Sequence, residues 1–376
     1  MELKIDAAVL ARALGRSQGI VEKKSTMPIL SHVLIEARGA KTLHVSATDL
    51  DVSISSEHEC EVTKEGALAV SAKHLYEIVR SLPDKTVTLK KAHNNYLEVR
   101  SGPSEFRIVG LPSDDFPVLP RFEKVPFVSL DPASLLDQID RTFFAVSSDE
   151  TRYNLNGVYF EPSHGALRLV ATDGHRLALC ERAAPGDFAL KRGVILPRKG
   201  LHELKKLLLE ATESGEEKPE GRLGFVENAA IFGRPGVVLA MRLIEGMFPD
   251  YKQVIPKQGT TFVKVGRDAL LATLRRVSLL SSDKAHAVKL EVEGNAMKVL
   301  SQNPDLGEAR EEMTVEYNGA PLKIGFNARY LTDVLSVVKS DDVLLEMEND
   351  LSPGVVKGAD PEKDGGFTAV VMPMRI

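Results

Sequence analysis

The sequence predicts an α+β fold of three similar domains, each combining antiparallel sheets with two helices. Three recurrences within the 376 residues lead there. Pairs of amphipathic helical stripes return about once per third, short alternating strands fill the intervals, and each third closes on an aromatic residue or Met followed by Pro.

The first stripe is Val9, Leu10, Ala13, Leu14; it returns as Leu135, Leu136, Ile139, Phe143 and as Leu270, Leu271, Leu274, Val277. The second is Leu75, Ile78, Val79, Leu82, then Leu201, Leu204, Leu207, Leu208, then Leu331, Val334, Leu335, Val338. Spacings of three and four put each set on one face of a helix. Ile78 to Leu204 is 126 residues and Leu204 to Val334 is 130. The six helices are expected over 7–24, 72–82, 131–145, 197–210, 266–277 and 327–340.

Strands are expected at 86–90, 96–100, 156–160, 167–171, 288–292 and 322–326, joined by Gly, Asn and Pro turns that favour antiparallel pairing. Polar turns at Thr48-Asp49, Thr172-Asp173 and Gln302-Asn303 repeat at 124 and 130 residues. Phe116-Pro117, Phe248-Pro249 and Met372-Pro373 repeat at 132 and 124. These repeats set domain limits of 1–124, 125–254 and 255–376, with the boundaries where Pro and Lys cluster, and 210–222 reads as a solvated loop.

Composition narrows the function classes. With 43% hydrophobic and 27% charged residues of mixed sign, the chain is globular and not disordered. Two distant cysteines, Cys60 and Cys180, give no disulfide framework, and a charged N-terminal run and the lack of an 18-residue apolar stretch argue against a secretory signal or a membrane span. A cytoplasmic protein is expected, with no membrane partner.

The formal net charge of −5 argues against nucleic-acid binding if taken alone. Its distribution argues the other way. In chain order the six expected helices carry +3, +1, −2, +2, +2 and +1, so an acidic chain has five basic helices. On any single helix such a balance is ordinary solvation. If the helices share a face, that face attracts phosphates without reading bases, while the acidic remainder repels them. Trp is absent and aromatics are 6%, which disfavours a stacking platform for single strands.

Phosphate-loop, dinucleotide, zinc-protease and serine-hydrolase motifs are absent. The run Ala171-Thr172-Asp173-Gly174-His175-Arg176-Leu177 could suggest a proton relay, but Thr-Asp-Gly is also turn chemistry, and neighbours in a tight turn do not face each other as acid and base. Asp49 with Asp51 has no His or Cys partner and reads as a solvated strand end. No catalytic residue, metal or cofactor is expected. An enzyme using His175 and Asp173, or a scaffold binding only proteins, are the competing classes.

Several segments resemble the beta subunit of bacterial DNA polymerase III, the beta sliding clamp family. They include Pro28 to Leu30, Leu111 to Pro117, Arg152-Tyr153, Leu155 to Gly157, Ala171 to Leu177, Pro197 to Gly200, Phe248 to Tyr251, Ile324 to Asn327 and Val370 to Arg375, in order along the whole chain. The resemblance implies a head-to-tail homodimer: a six-domain ring with helices inside and sheets outside, encircling duplex DNA and tethering DNA polymerase III, other polymerases and a clamp loader. It implies a pocket for a short linear motif made by Arg152, Leu155, Thr172, Gly174, His175, Arg176, Leu177, Pro249, Val254, Asn327, Tyr330, Val370, Met372, Pro373, Met374, Arg375 and Ile376. It implies DNA-facing positions at Lys24, Lys73, Arg80, Tyr153, Arg198, Lys199, Lys205, Lys206 and Arg275. It places Phe106 and Ile108 of one subunit against Leu279 and Leu280 of the next. Gln253, Asp149 and Lys24 depart from the family pattern.

Overall fold

A computed structural model describes residues 1–22, 26–119, 125–163, 165–213, 215, 220–256, 261–281 and 286–375. The first third runs β1 (Glu2–Asp6), α1 (Ala7–Ser17), β2 (His32–Arg38), β3 (Thr42–Thr48), β4 (Val52–Glu59), β5 (Glu61–Lys64), β6 (Gly66–Ser71), α2 (Ala72–Ser81), β7 (Thr86–Lys91), β8 (Tyr96–Ser101) and β9 (Ser104–Leu111). The middle third runs β10 (Phe127–Leu130), α3 (Pro132–Phe143), β11 (Gly157–Ser163), β12 (Ala166–Thr172), β13 (Arg176–Ala183), β14 (Val194–Pro197), α4 (Arg198–Thr212), β15 (Gly221–Val226), β16 (Ala229–Arg234) and β17 (Val237–Arg242). The last runs β18 (Phe262–Gly266), α5 (Arg267–Val277), β19 (Ala287–Glu293), β20 (Ala296–Asn303), β21 (Gly307–Thr314), β22 (Leu322–Asn327), α6 (Ala328–Val337), β23 (Asp342–Glu346), β24 (Gly354–Gly358), α7 (Pro361–Asp364) and β25 (Phe367–Val371). Apart from β5 and α7, each third has the same order: strand, helix, four strands, helix, three strands.

The expected stripes fall on helices apart from Leu82 and Val338, which follow the last residues of α2 and α6, and every expected strand is present. Helix ends differ. α1 stops at Ser17 and not at 24, because the Ile20 and Val21 amides turn back to the Ser17 carbonyl and Glu22 bonds to Leu30. Ile20 is buried beyond the helix end. α6 ends at Val337, which leaves Lys339 outside and makes the helix neutral, Arg329 against Asp333. Four helices, not five, are therefore net basic.

The chain divides into two compact units, Met1–Ala133 with Lys199–Leu243, and Ser134–Arg198 with Ile244–Ile376. In the first, a 13-stranded sheet runs β10-β15-β16-β17-β4-β3-β2-β6-β9-β8-β7-β1-β5. In the second, eight strands run β14-β11-β12-β13-β25-β24-β23-β18 and four run β21-β20-β19-β22. The pairs β17–β4 and β25–β13 each join strands of neighbouring thirds, both antiparallel.

Candidate functional site

The Thr172–Arg176 turn is built by its own side chains. The Thr172 hydroxyl donates to the Arg176 carbonyl at 2.7 Å and accepts from the Gly174 amide. Asp173 Oδ1 accepts the amides of His175 and Arg176 at 2.9 and 3.0 Å, and Oδ2 accepts Arg176 Nε at 3.2 Å. Gly174 has φ +88°, a conformation glycine adopts without strain. Asp173 is thus a turn cap, its carboxylate taken up by two amides and the Arg176 guanidinium.

Arg176 ties the turn to α6. Its guanidinium bonds Asp333 and the Phe144 carbonyl, and lies 4.6 Å from the Tyr330 ring centre. Arg176 is therefore held by internal partners. The exposed His175 ring lies nearly parallel to Tyr330, centres 6.4 Å apart. Burial and nearby Asp173 push the Tyr330 phenol up. Asn327 accepts the Arg329 amide and so caps α6.

β25 brings the chain's end to this turn. Val370 lies opposite Leu177 and Val371 opposite Arg176. The Met372 amide then bonds the His175 carbonyl at 2.9 Å, and the Met374 amide bonds Gly325 at 2.8 Å. Met372 is exposed, and Pro373 and Met374 are half-buried. Leu177 and Val370 are buried in one apolar cluster with Val170, Tyr251 and Val355. Arg375 is exposed; Ile376 lies outside the described residues.

On another side, Tyr251 donates to Glu161 at 2.5 Å, and Phe248 stacks on Tyr159 at 4.9 Å. These anchors hold the intervening Pro249 exposed, with Val254 also exposed. Leu155 is buried, and Arg152, half exposed, pairs with Asp149 at 3.1 Å. Asp149 also accepts the Thr151 hydroxyl and amide; these bonds, then Arg152, hold its carboxyl below the usual range. Gln253 donates to Asp250.

Beneath β25 lies a group that sequence reasoning missed. Arg141 on α3 is 1% exposed and bonds Asp137 at 3.0 Å, Asp364 at 2.6 Å and the Lys363 carbonyl at 3.1 Å. Asp364 also accepts the Ser340 hydroxyl and the Lys339 and Ser340 amides. Burial opposes its charge, but these bonds and Arg141 outweigh it and hold the carboxyl low. Arg141 and Asp364 are 223 positions apart, and a lone Arg on an acidic helix reads as solvated surface.

Among the expected DNA-facing residues, Lys73, Arg80, Tyr153, Arg198 and Arg275 are exposed. Arg80 leans over Tyr76, and Lys205 is half-buried. Two of them carry internal partners: the Lys199 ammonium is bound to Asp49 and the Ile20 carbonyl, and Lys206 bonds the buried Glu203. The same bond makes Asp49 an internal ion-pair partner and not a solvated strand end. Lys24 lies outside the described residues. In the first unit, α1, α2 and α4 line an open cleft of about 400 Å³ in which Arg16 pairs with Glu210 and Lys206 with Glu203, with Arg12 and Arg80 beside them. Phe106 and Leu279 are exposed, Ile108 and Leu280 half-buried.

Three family models cover the chain: DNA polymerase III beta subunit N-terminal domain over 1–120, central domain over 129–250 and C-terminal domain over 252–375. The beta sliding clamp of Caulobacter vibrioides is 38% identical over 383 residues, and that of Vibrio cholerae is 33% identical over 377, each with both chains fully covered. The structure of a sliding clamp (DNA polymerase III subunit beta) from Bartonella birtlesii bound to griselimycin superposes with TM-score 0.93 at 36% identity, covering both chains fully. The crystal structure of the Pseudomonas aeruginosa subunit gives 0.92 at 34% over the same coverage.

Proposed function

We propose how this chain acts from the premise that it belongs to the DNA polymerase III beta subunit family: it is a sliding clamp, a non-catalytic processivity factor of DNA replication. Two copies close head to tail into a six-domain ring around duplex DNA, using domains 1–124, 125–254 and 255–376. The clamp works in the cytoplasm, where a clamp loader opens the ring.

The observation that carries the tethering role is the joint of β13 with β25. It sets apolar Leu177 and Val370 between the exposed His175, backed by half-buried Tyr330, and the Met372–Met374 tail. Such a trough, apolar with a few fixed polar groups, suits a short peptide with an aromatic or Leu anchor. The expected pocket residues supply the floor and walls; Arg152, Pro249 and Val254 supply the rim. DNA polymerase III, other polymerases and the loader compete for it.

Exposed Lys73, Arg80, Arg198 and Arg275 supply weak, sequence-independent phosphate contacts. Retention therefore depends on enclosure. Clamp loaded on nicked circular DNA should persist in moderate salt and be lost on linearisation. Equal retention on both forms contradicts the ring; a scaffold binding only proteins would show no salt-dependent DNA association at all. Replacing Leu279 and Leu280 by charged residues should give folded monomers by sedimentation, because unpaired charge would be buried at the contact.

A further inference from the structure

We infer that Glu161 is a positioning residue for peptide capture: through the Tyr251 hydroxyl it fixes the segment from Phe248 to Val254, and with it the Pro249 and Val254 rim of the trough. The inference rests on the trough proposed above.

That segment is pinned by side chains. Among the described residues its backbone hydrogen bonds are local, the Gln253 amide to Asp250 and the Val254 amide to Tyr251. Pro249 has no amide proton to give. β11 supplies the pins. Tyr159 and Glu161 are two apart on that strand and so project from one face. Phe248 stacks on the first at 4.9 Å, and Tyr251, three residues later, donates to the second at 2.5 Å. Tyr251 is 5% exposed and shares one apolar cluster with Leu177 and Val370, so the pinned ring packs among expected pocket residues.

Glu161 is itself held in place. Arg168 lies opposite it on β12, and Glu181 lies opposite Arg168 on β13. Arg168 bonds Glu181 and stands 3.7 Å from the Glu161 oxygen that Tyr251 uses, while Lys252 reaches the other oxygen at 3.4 Å. Burial, then Glu161, push the Tyr251 phenol up, which keeps it the donor. The first third has the same frame without this contact. By the repeat Leu34, Glu36 and Phe116-Pro117 correspond to Tyr159, Glu161 and Phe248-Pro249. Leu34 packs on the cluster that holds Phe116, but so does Leu119, which stands where Tyr251 does, and Glu36 pairs with Arg38 instead. The polar pin thus separates the copy that borders the trough from the copy that does not.

Anisotropy with a fluorescein-labelled polymerase tail peptide tests it, with circular dichroism and sedimentation on the same samples. Glu161→Ala should weaken binding roughly tenfold in a folded protein, the scale of one hydrogen bond to a carboxylate. Glu161→Gln, whose amide oxygen still accepts from Tyr251, should restore most of that loss. Tyr251→Phe keeps the ring and removes the donor; it should match Glu161→Ala, and the two together should lose no more than either. With Pro249→Ala and Val254→Ala already in place, Glu161→Ala should add little, because the rim it positions is gone. A loss of stability alone would not produce that dependence on the rim. Unchanged affinity in Glu161→Ala and Tyr251→Phe, additive losses, or a Glu161→Gln protein as weak as Glu161→Ala overturns the positioning role. A wild-type protein that does not bind the peptide overturns the trough itself.

Discussion

The turn after β3 and the turn after β12 are the same device put to two uses. In both, Thr caps the returning carbonyl, at 3.2 Å for Thr48 and 2.7 Å for Thr172, and Asp accepts two successive amides. In both, a residue at the end of the paired strand bonds back to the turn, Arg242 to Asp51 and Met372 to His175. Position three is left-handed in both, Leu50 at φ +82° and Gly174 at +88°. The outward groups differ. Asp49 holds Lys199, so the first turn is an ionic clasp. Asp173 holds Arg176, and the Met-Pro-Met tail crosses beside it, so the second turn borders the proposed trough. The backbone supplies a joint; the side chains around it make the joint structure or site.

That contrast can be broken hardest at Arg141. Removing one partner of a buried ion pair leaves the other uncompensated, so Arg141→Met should cost about 3–5 kcal/mol of stability in denaturant titration. Lys199→Met, at a half-exposed pair, should cost about 1 kcal/mol. Equal losses would mean the second joint is no more dependent on its buried charge than the first.

Acid unfolding sharpens the point. Asp364 has a folded-state pKa below its unfolded value, so its contribution is complete above about pH 4 and is lost as pH falls through the lower, folded value. Asp364→Asn should lower stability at neutral pH and flatten the acid limb. An unchanged acid limb would remove Asp364 from the account.

Smaller effects separate the two turns themselves. Gly174→Val forces a β-branched residue to positive φ and should cost about 1–3 kcal/mol in thermal melts, with weaker peptide binding. Leu50→Gly relieves the same strain in the first turn and should change stability by about 1 kcal/mol or less, in the favourable direction. Destabilisation by Leu50→Gly would show that its exposed side chain contributes more than its backbone strain removes.

Much of this was legible in the sequence because it is local or repeated. The Leu201–Leu208 stripe and the Thr-Asp turns are set by nearby residues, and their recurrence exposed the three thirds. The Met372–Met374 tail was expected beside the turn, and the Met372 amide bonds there. Pairings across long separations were not legible. Lys199 was expected to face DNA, and Asp49, 150 positions away, gave no sign of binding it. Arg141 was counted as one charge on an acidic helix, although it is buried beneath β25.

Peptide binding after removal of residues 373–376 tests the pocket most directly. The deletion leaves β25 and the distant Leu279 contact in place and takes away the tail wall with Met374. Fluorescence anisotropy with a polymerase tail peptide should show a loss of about 2–4 kcal/mol, roughly thirtyfold to thousandfold in affinity. His175→Ala should do less, because that ring shapes a wall and transfers no proton. Undiminished peptide affinity in a folded, dimeric truncated protein would contradict the assignment of the trough.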